Sequence, residues 1–170
     1  MNNKTQFIVR TALVAALYVV VTFAFYFLSY QAIQFRVSEI MVLLAFVDPL
    51  YIPGLVIGCF MANILGPYGF IDAIFGSFAS LVALLAIVKT RKVMGENLKS
   101  LIVASLWPAI FSFIIAFEIT VVFGAPESFW FWTIMVAIGE FVVISIAGVP
   151  IFNWIIKRPN VKDMITFNRK

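Results

Sequence analysis

In a chain of 170 residues, 64% hydrophobic and only 12% charged, with a mean hydropathy of +1.08, too little polar surface exists to solvate a globular domain. The composition argues against a soluble catalytic or nucleotide-binding domain. The lone Cys59 rules out an internal disulfide, and with no histidine either a transition-metal centre lacks ligands. The formal charge of +4 suits basic helix ends better than nucleic acid. The sequence therefore describes an all-α membrane protein, a single domain over 1–170 with no resident cofactor.

The first apolar run covers 7–28. Lys4 and Arg10 precede its core, which is too long for a signal-peptide core and lacks a cleavage pattern, so it is expected to remain as a helix. Five further segments follow at 37–46, 52–65, 72–88, 101–123 and 129–156. The second and third fall short of the roughly 20 residues that span a bilayer, and Asp48-Pro49 and Pro53 keep them apart. The expected architecture is a bundle of six transmembrane helices. Except for Arg36, every Lys and Arg lies at the N-terminus, in 89–99 or in the tail from Lys157. With six crossings those stretches share one side, which the positive-inside rule makes cytoplasmic, both termini included.

Small residues at four-residue spacing mark close helix contacts. Gly54, Gly58 and Ala62 form one such stripe, and Gly76 with Ser80 another, both expected to pack within the bundle. Ala12 and Ala16 suit packing within the chain and docking to another protein equally well. Pro108 and Pro150 fall inside the fifth and sixth segments and are expected to kink them.

The acidic residues are the most informative. Asp48, Glu96, Asp163 and Glu127 belong to loops or the tail, which leaves Glu39, Asp72, Glu118 and Glu140, all in the outer half. Inserting a carboxylate at bilayer depth costs about 2.5–3.5 kcal/mol, and Arg36 in the strip Q-F-R-V-S-E (34–39) is the only basic side chain near the four. Two simpler readings stand beside a binding site: Arg36 and Glu39 could pair at three-residue spacing, and Asp72 could cap its helix. Helical spacing sets Trp107, Phe111 and Ile114 on a face with Glu118, and Phe129, Thr133 and Val136 on a face with Glu140. Aromatic rings beside carboxylates suit a flat, nitrogen-rich heterocycle, with Gln34 and Asn63 adding amide donors and acceptors; Trp130 and Trp132 read equally as interfacial anchors. No G-x-x-x-x-G-K-[ST] loop is present, so ATP hydrolysis by this chain is not expected.

The stretches I-Q-F-R-V-S-E (33–39), I-P-G-L-V-I-G-C-F-M-A-N (52–63) and D-A-I-F-G-S (72–77) resemble the QueT family, the queuosine-precursor-specific S components of energy-coupling factor (ECF) transporters. The resemblance implies a six-helix substrate-binding subunit in the cell membrane. Such a subunit captures a 7-deazaguanine such as 7-aminomethyl-7-deazaguanine or queuine from outside and works with a coupling protein and two ATPases. It also implies that Ala12 and Ala16 face the coupling protein. The site residues expected from the two readings together are Gln34, Arg36, Glu39, Asn63, Asp72, Trp107, Phe111, Glu118 and Glu140. A guanine-like edge would meet Glu118 or Glu140, and an aminomethyl group another of the four acids. The competing readings are an S component for another vitamin-like ligand such as thiamine, and a membrane subunit with no transport role.

Overall fold

The structure is a computed structural model that describes residues 3–31 and 33–167. The described residues form helices and turns without a strand: α1 (Asn3–Ala24), α2 (Tyr26–Ser29), a 3-10 turn at Val37–Leu43 running into α3 (Leu44–Val47), and a further 3-10 turn at Pro49–Tyr51 leading into α4 (Ile52–Ile64). α5 (Gly69–Met94), α6 (Leu98–Ser105), α7 (Trp107–Phe117), α8 (Phe129–Glu140), α9 (Val149–Ile156) and α10 (Pro159–Ile165) complete the chain.

Four continuous helical stretches, Lys4–Ala24, Gly69–Met94, Leu98–Val122 and Phe129–Ile156, are long and apolar enough to cross a bilayer. Val37–Val47 and Pro49–Ile64 are apolar but shorter. This is a multi-pass, all-helical membrane protein. The second segment departs from the expected α-helix because Val37–Leu43 winds as a 3-10 turn. The break at Asp48-Pro49 is present, with extended backbone at Asp48 and its Oδ1 accepting from the Leu50 amide at 3.0 Å. The fourth segment outruns its expected limits at both ends. Its polar last turns carry Lys89, Arg91 and Lys92.

The fifth and sixth segments change winding near their prolines. α6 ends at Ser105 and α7 starts at Trp107 with Pro108 in its first turn, while Pro150 opens α9. Ser105 and Ser145 tie the two segments together through their hydroxyls at 2.9 Å. Wide π-helical turns occupy Glu118–Val122 and Phe141–Gly148, so both deep carboxylates sit where α-helix gives way to a wider winding.

The apolar core lies toward the end that carries the chain termini. Leu43, Phe46, Leu84, Ile87, Leu101 and Phe152 close it there. α4 packs along α1 because Gly54 and Gly58 leave no room for side chains: a Cβ at Gly58 would lie 2.7 Å from the Tyr18 Cβ and 3.1 Å from the Ala15 backbone. Ala12 and Ala16, by contrast, are exposed on the outer face of α1.

Candidate functional site

The end opposite the core is polar and concave. An inner recess is lined by Arg36, Glu39, Asn63, Asp72, Ser80 and Glu140 among others, and an outer one by Tyr68, Asp72, Glu118, Phe123 and Trp132. Gln34, Asp72 and Ile115 belong to both. The site is assembled from every long element: α1 supports it from below, the loop before the 3-10 turn forms one wall, and α4, α5, α7 and α8 form the rest.

Glu39 is held from below by the buried Tyr18 hydroxyl, which donates to its Oε1. Thr22 joins the same layer, donating to the Tyr18 carbonyl at 2.8 Å and sharing a hydrogen bond with Ser38 at 2.6 Å. Asn63 is wholly buried, and its amide donates to the Asp72 carbonyl at 3.2 Å, joining α4 to the start of α5. Gly76 makes this possible, since a Cβ there would collide with the Asn63 amide nitrogen. The loop wall is seated in the same way: Gly139 of α8 meets the Gln34 backbone so closely that a Cβ would lie 2.6 Å from its carbonyl oxygen. The Arg36 guanidinium sits over the Tyr30 ring at 5.4 Å, and the Tyr30 hydroxyl donates to the Ala62 carbonyl at 2.7 Å.

What distinguishes the recess is how many of its buried polar atoms lack a partner. Among the described residues, Arg36 Nε, Asn63 Oδ1, Asp72 Oδ2, both Glu118 oxygens, Glu140 Oε2 and Trp132 Nε1 make no hydrogen bond. Each such group costs about 1–3 kcal/mol, so a protein with no use for them would not gather them in one place. The simpler readings of the acids do not hold. The ion pairs among the described residues join Glu96 to Arg91 and Lys162, not Arg36 to Glu39. Asp72 does not cap α5: the cap position is Tyr68, without a side-chain bond.

Eight of the nine expected site residues line these recesses: Gln34, Arg36, Glu39, Asn63, Asp72, Phe111, Glu118 and Glu140. Trp107 lies elsewhere. Its indole nitrogen donates to Thr90 Oγ1 at 2.8 Å and its ring stacks on Phe111 at 5.7 Å, beside a separate apolar groove facing the basic end. The faces that do line the recess run through Pro108, Phe111, Ser112 and Ile115 to Glu118, and through Trp132 and Val136 to Glu140. Trp132 was readable as an anchor, and the i, i+4, i+8 spacing from Trp132 through Val136 to Glu140 is the signal that separates it from Trp130, which is 69% exposed.

The profile of a family described as QueT transporter matches residues 8–157. The Queuosine precursor transporter QueT of Lactococcus lactis subsp. cremoris (strain MG1363) is 34% identical over 156 residues, covering 86% of this chain and 90% of that protein. No solved structure matches the chain. A lipid-embedded helical body with an acid-rich recess at one end and a profile spanning nearly its whole length belongs to the QueT transporter family.

Proposed function

We propose that this chain is the substrate-binding subunit of an ECF importer, a single unit that captures a queuosine precursor at the outer membrane face for ATP-driven uptake with partner subunits. The observation that carries the reading is the recess with four acids, one base and a set of unpartnered buried polar atoms. A deazaguanine brings N–H donors on its edge, a carbonyl acceptor and, with an aminomethyl group, a positive charge, which is the complement of such a lining. In this reading the four long and two short apolar segments make up a six-helix S-component bundle with both termini and the basic loop in the cytoplasm. The exposed Ala12 and Ala16 face of α1 is where a coupling protein would dock. ATP hydrolysis falls to the partners, since the chain has no phosphate-binding loop.

Titration calorimetry on the purified chain tests this directly. With 7-aminomethyl-7-deazaguanine, Glu118→Gln and Glu140→Gln are each expected to weaken binding about tenfold or more, the consequence of losing a charge-assisted hydrogen bond. If both variants bind like the parent, the recess is not the site. Thiamine in a parallel thermal-shift series is expected to leave the unfolding midpoint unchanged; stabilisation by thiamine alone would replace this ligand class with another.

A further inference from the structure

The two compartments differ in size and in the polar atoms they offer, and together these differences orient the ligand. The inner recess has about 40 Å³ of free space and the outer about 170 Å³. A cavity of about 150 Å³ holds one benzene ring, whereas about 10–15 Å³ holds one water. A flat ring system therefore fits only the outer compartment. The inner one takes a group of one or two heavy atoms.

Apart from Asp72, which lines both compartments, the unpartnered acceptors divide along the same line. In the outer compartment, Glu118, 1% exposed, presents two acceptors and Trp132 presents one donor. Two acceptors beside a donor are the counterpart of a ring edge bearing two N–H donors and a carbonyl. Tyr68 and Phe123, with centroids 5.6 Å apart, supply an aromatic wall. In the inner compartment the unpartnered acceptors are Asn63 Oδ1 and Glu140 Oε2, joined by Asp72 Oδ2 where the two compartments meet. Three acceptors match the three donors of a primary ammonium. Arg36 offsets one of the three inner acids, and the remaining negative charge calls for a cation.

Resting on the substrate reading above, we infer that Glu118 and Trp132 read the edge of the heterocycle in the outer compartment, while Asn63, Asp72 and Glu140 receive a short primary ammonium substituent in the inner one. The site thus selects a cationic, unelaborated base over an uncharged or bulkier one. Calorimetry on the full chain with three probes separates these ideas: 7-aminomethyl-7-deazaguanine, its uncharged 7-hydroxymethyl isostere, and queuine, whose amine carries a ring. The parent is expected to bind the isostere and queuine each about tenfold or more weakly than the amine. Glu140→Gln is expected to erase the amine-over-alcohol preference, whereas Glu118→Gln and Trp132→Phe weaken both probes and keep their ratio. Should Glu140→Gln not yield monodisperse protein, Asp72→Asn carries the same expectation. Equal binding of amine and alcohol by the parent overturns the inference while leaving the proposed function standing, as does loss of the preference in Glu118→Gln with its retention in Glu140→Gln. Binding of none of the three probes by the parent overturns both.

Discussion

At Gly139 the atoms that a side chain would meet are the carbonyl oxygen, carbon and nitrogen of Gln34, at 2.6, 2.9 and 3.2 Å from an added Cβ. Backbone cannot rotate out of the way as a side-chain end can, so Gly139→Ala must push the loop wall off α8 and carry Gln34 and Arg36 with it. Overpacking of this kind costs about 1–3 kcal/mol, and here it falls on the recess rather than on the apolar core. We expect Gly139→Ala to lower affinity for 7-aminomethyl-7-deazaguanine about tenfold with a smaller effect on the thermal midpoint; unchanged affinity by calorimetry would show that the loop position does not govern the site. The four acids were legible in the sequence because charge inside apolar helices is costly wherever it falls. Trp132 was less so, because a tryptophan near a helix end serves the bilayer interface as readily as a pocket; its phase with Val136 and Glu140 points to the recess, and the burial of its indole N–H agrees. Trp107 missed the recess although it shares α7 with the lining face, because its indole turns to α5, where its nitrogen donates to Thr90 Oγ1.

At the scale of elements, two stripes of small residues with the same spacing face opposite ways. Gly54 and Gly58 of α4 face α1, where a Cβ at Gly54 would lie 2.8 Å from the Thr11 carbonyl oxygen, whereas Ala12 and Ala16 face away from the bundle among exposed apolar neighbours such as Leu13 and Val20. Spacing alone marks a close approach without saying to what; only the direction of each face tells. Gly58→Leu is accordingly expected to destabilise the fold by about 3 kcal/mol or more by separating α1 from α4, lowering the unfolding midpoint in detergent. Ala12→Leu should stay within about 0.5 kcal/mol of the parent, as a surface change does, while abolishing co-purification with the coupling protein. Retained co-purification would place the docking face elsewhere. The long segments were legible from their hydropathy, but the 3-10 winding of Val37–Leu43 was not, since its apolar composition satisfies either helix.

Taken whole, the molecule is wet at one end and sealed at the other. The recess stops on the layer of Tyr18, Val42 and Ala83, below which Leu43, Phe46, Leu84, Ile87 and Leu101 fill the bundle, so it is a blind cup and not a pore. A ligand held there has no path through the described residues to the other end. The sealed end is fastened by α10, a helix with no hydropathy signal of its own that owes its position to tertiary bonds. Arg10 donates to the Thr166 carbonyl at 2.8 Å, Asp48 Oδ2 accepts from the Phe167 amide at 3.1 Å, and Lys162 meets Glu96 at 2.7 Å while Arg91 holds the other Glu96 oxygen at 2.6 Å. Partial burial raises the pKa of Glu96, but hydrogen bonds from Lys162 and Arg91 outweigh it and hold the carboxyl below its ordinary value of 4.5. A depressed folded-state pKa stabilises the fold fully above the unfolded value and loses that contribution as pH falls through the lower, folded one. The parent should therefore melt above Glu96→Gln at neutral pH, by a small margin because the pair is partly solvated, and the two should converge as pH drops below 4.5. A gap between the two melting curves that persists at low pH would mean that Glu96 holds α10 by shape and hydrogen bonding, with its charge contributing nothing.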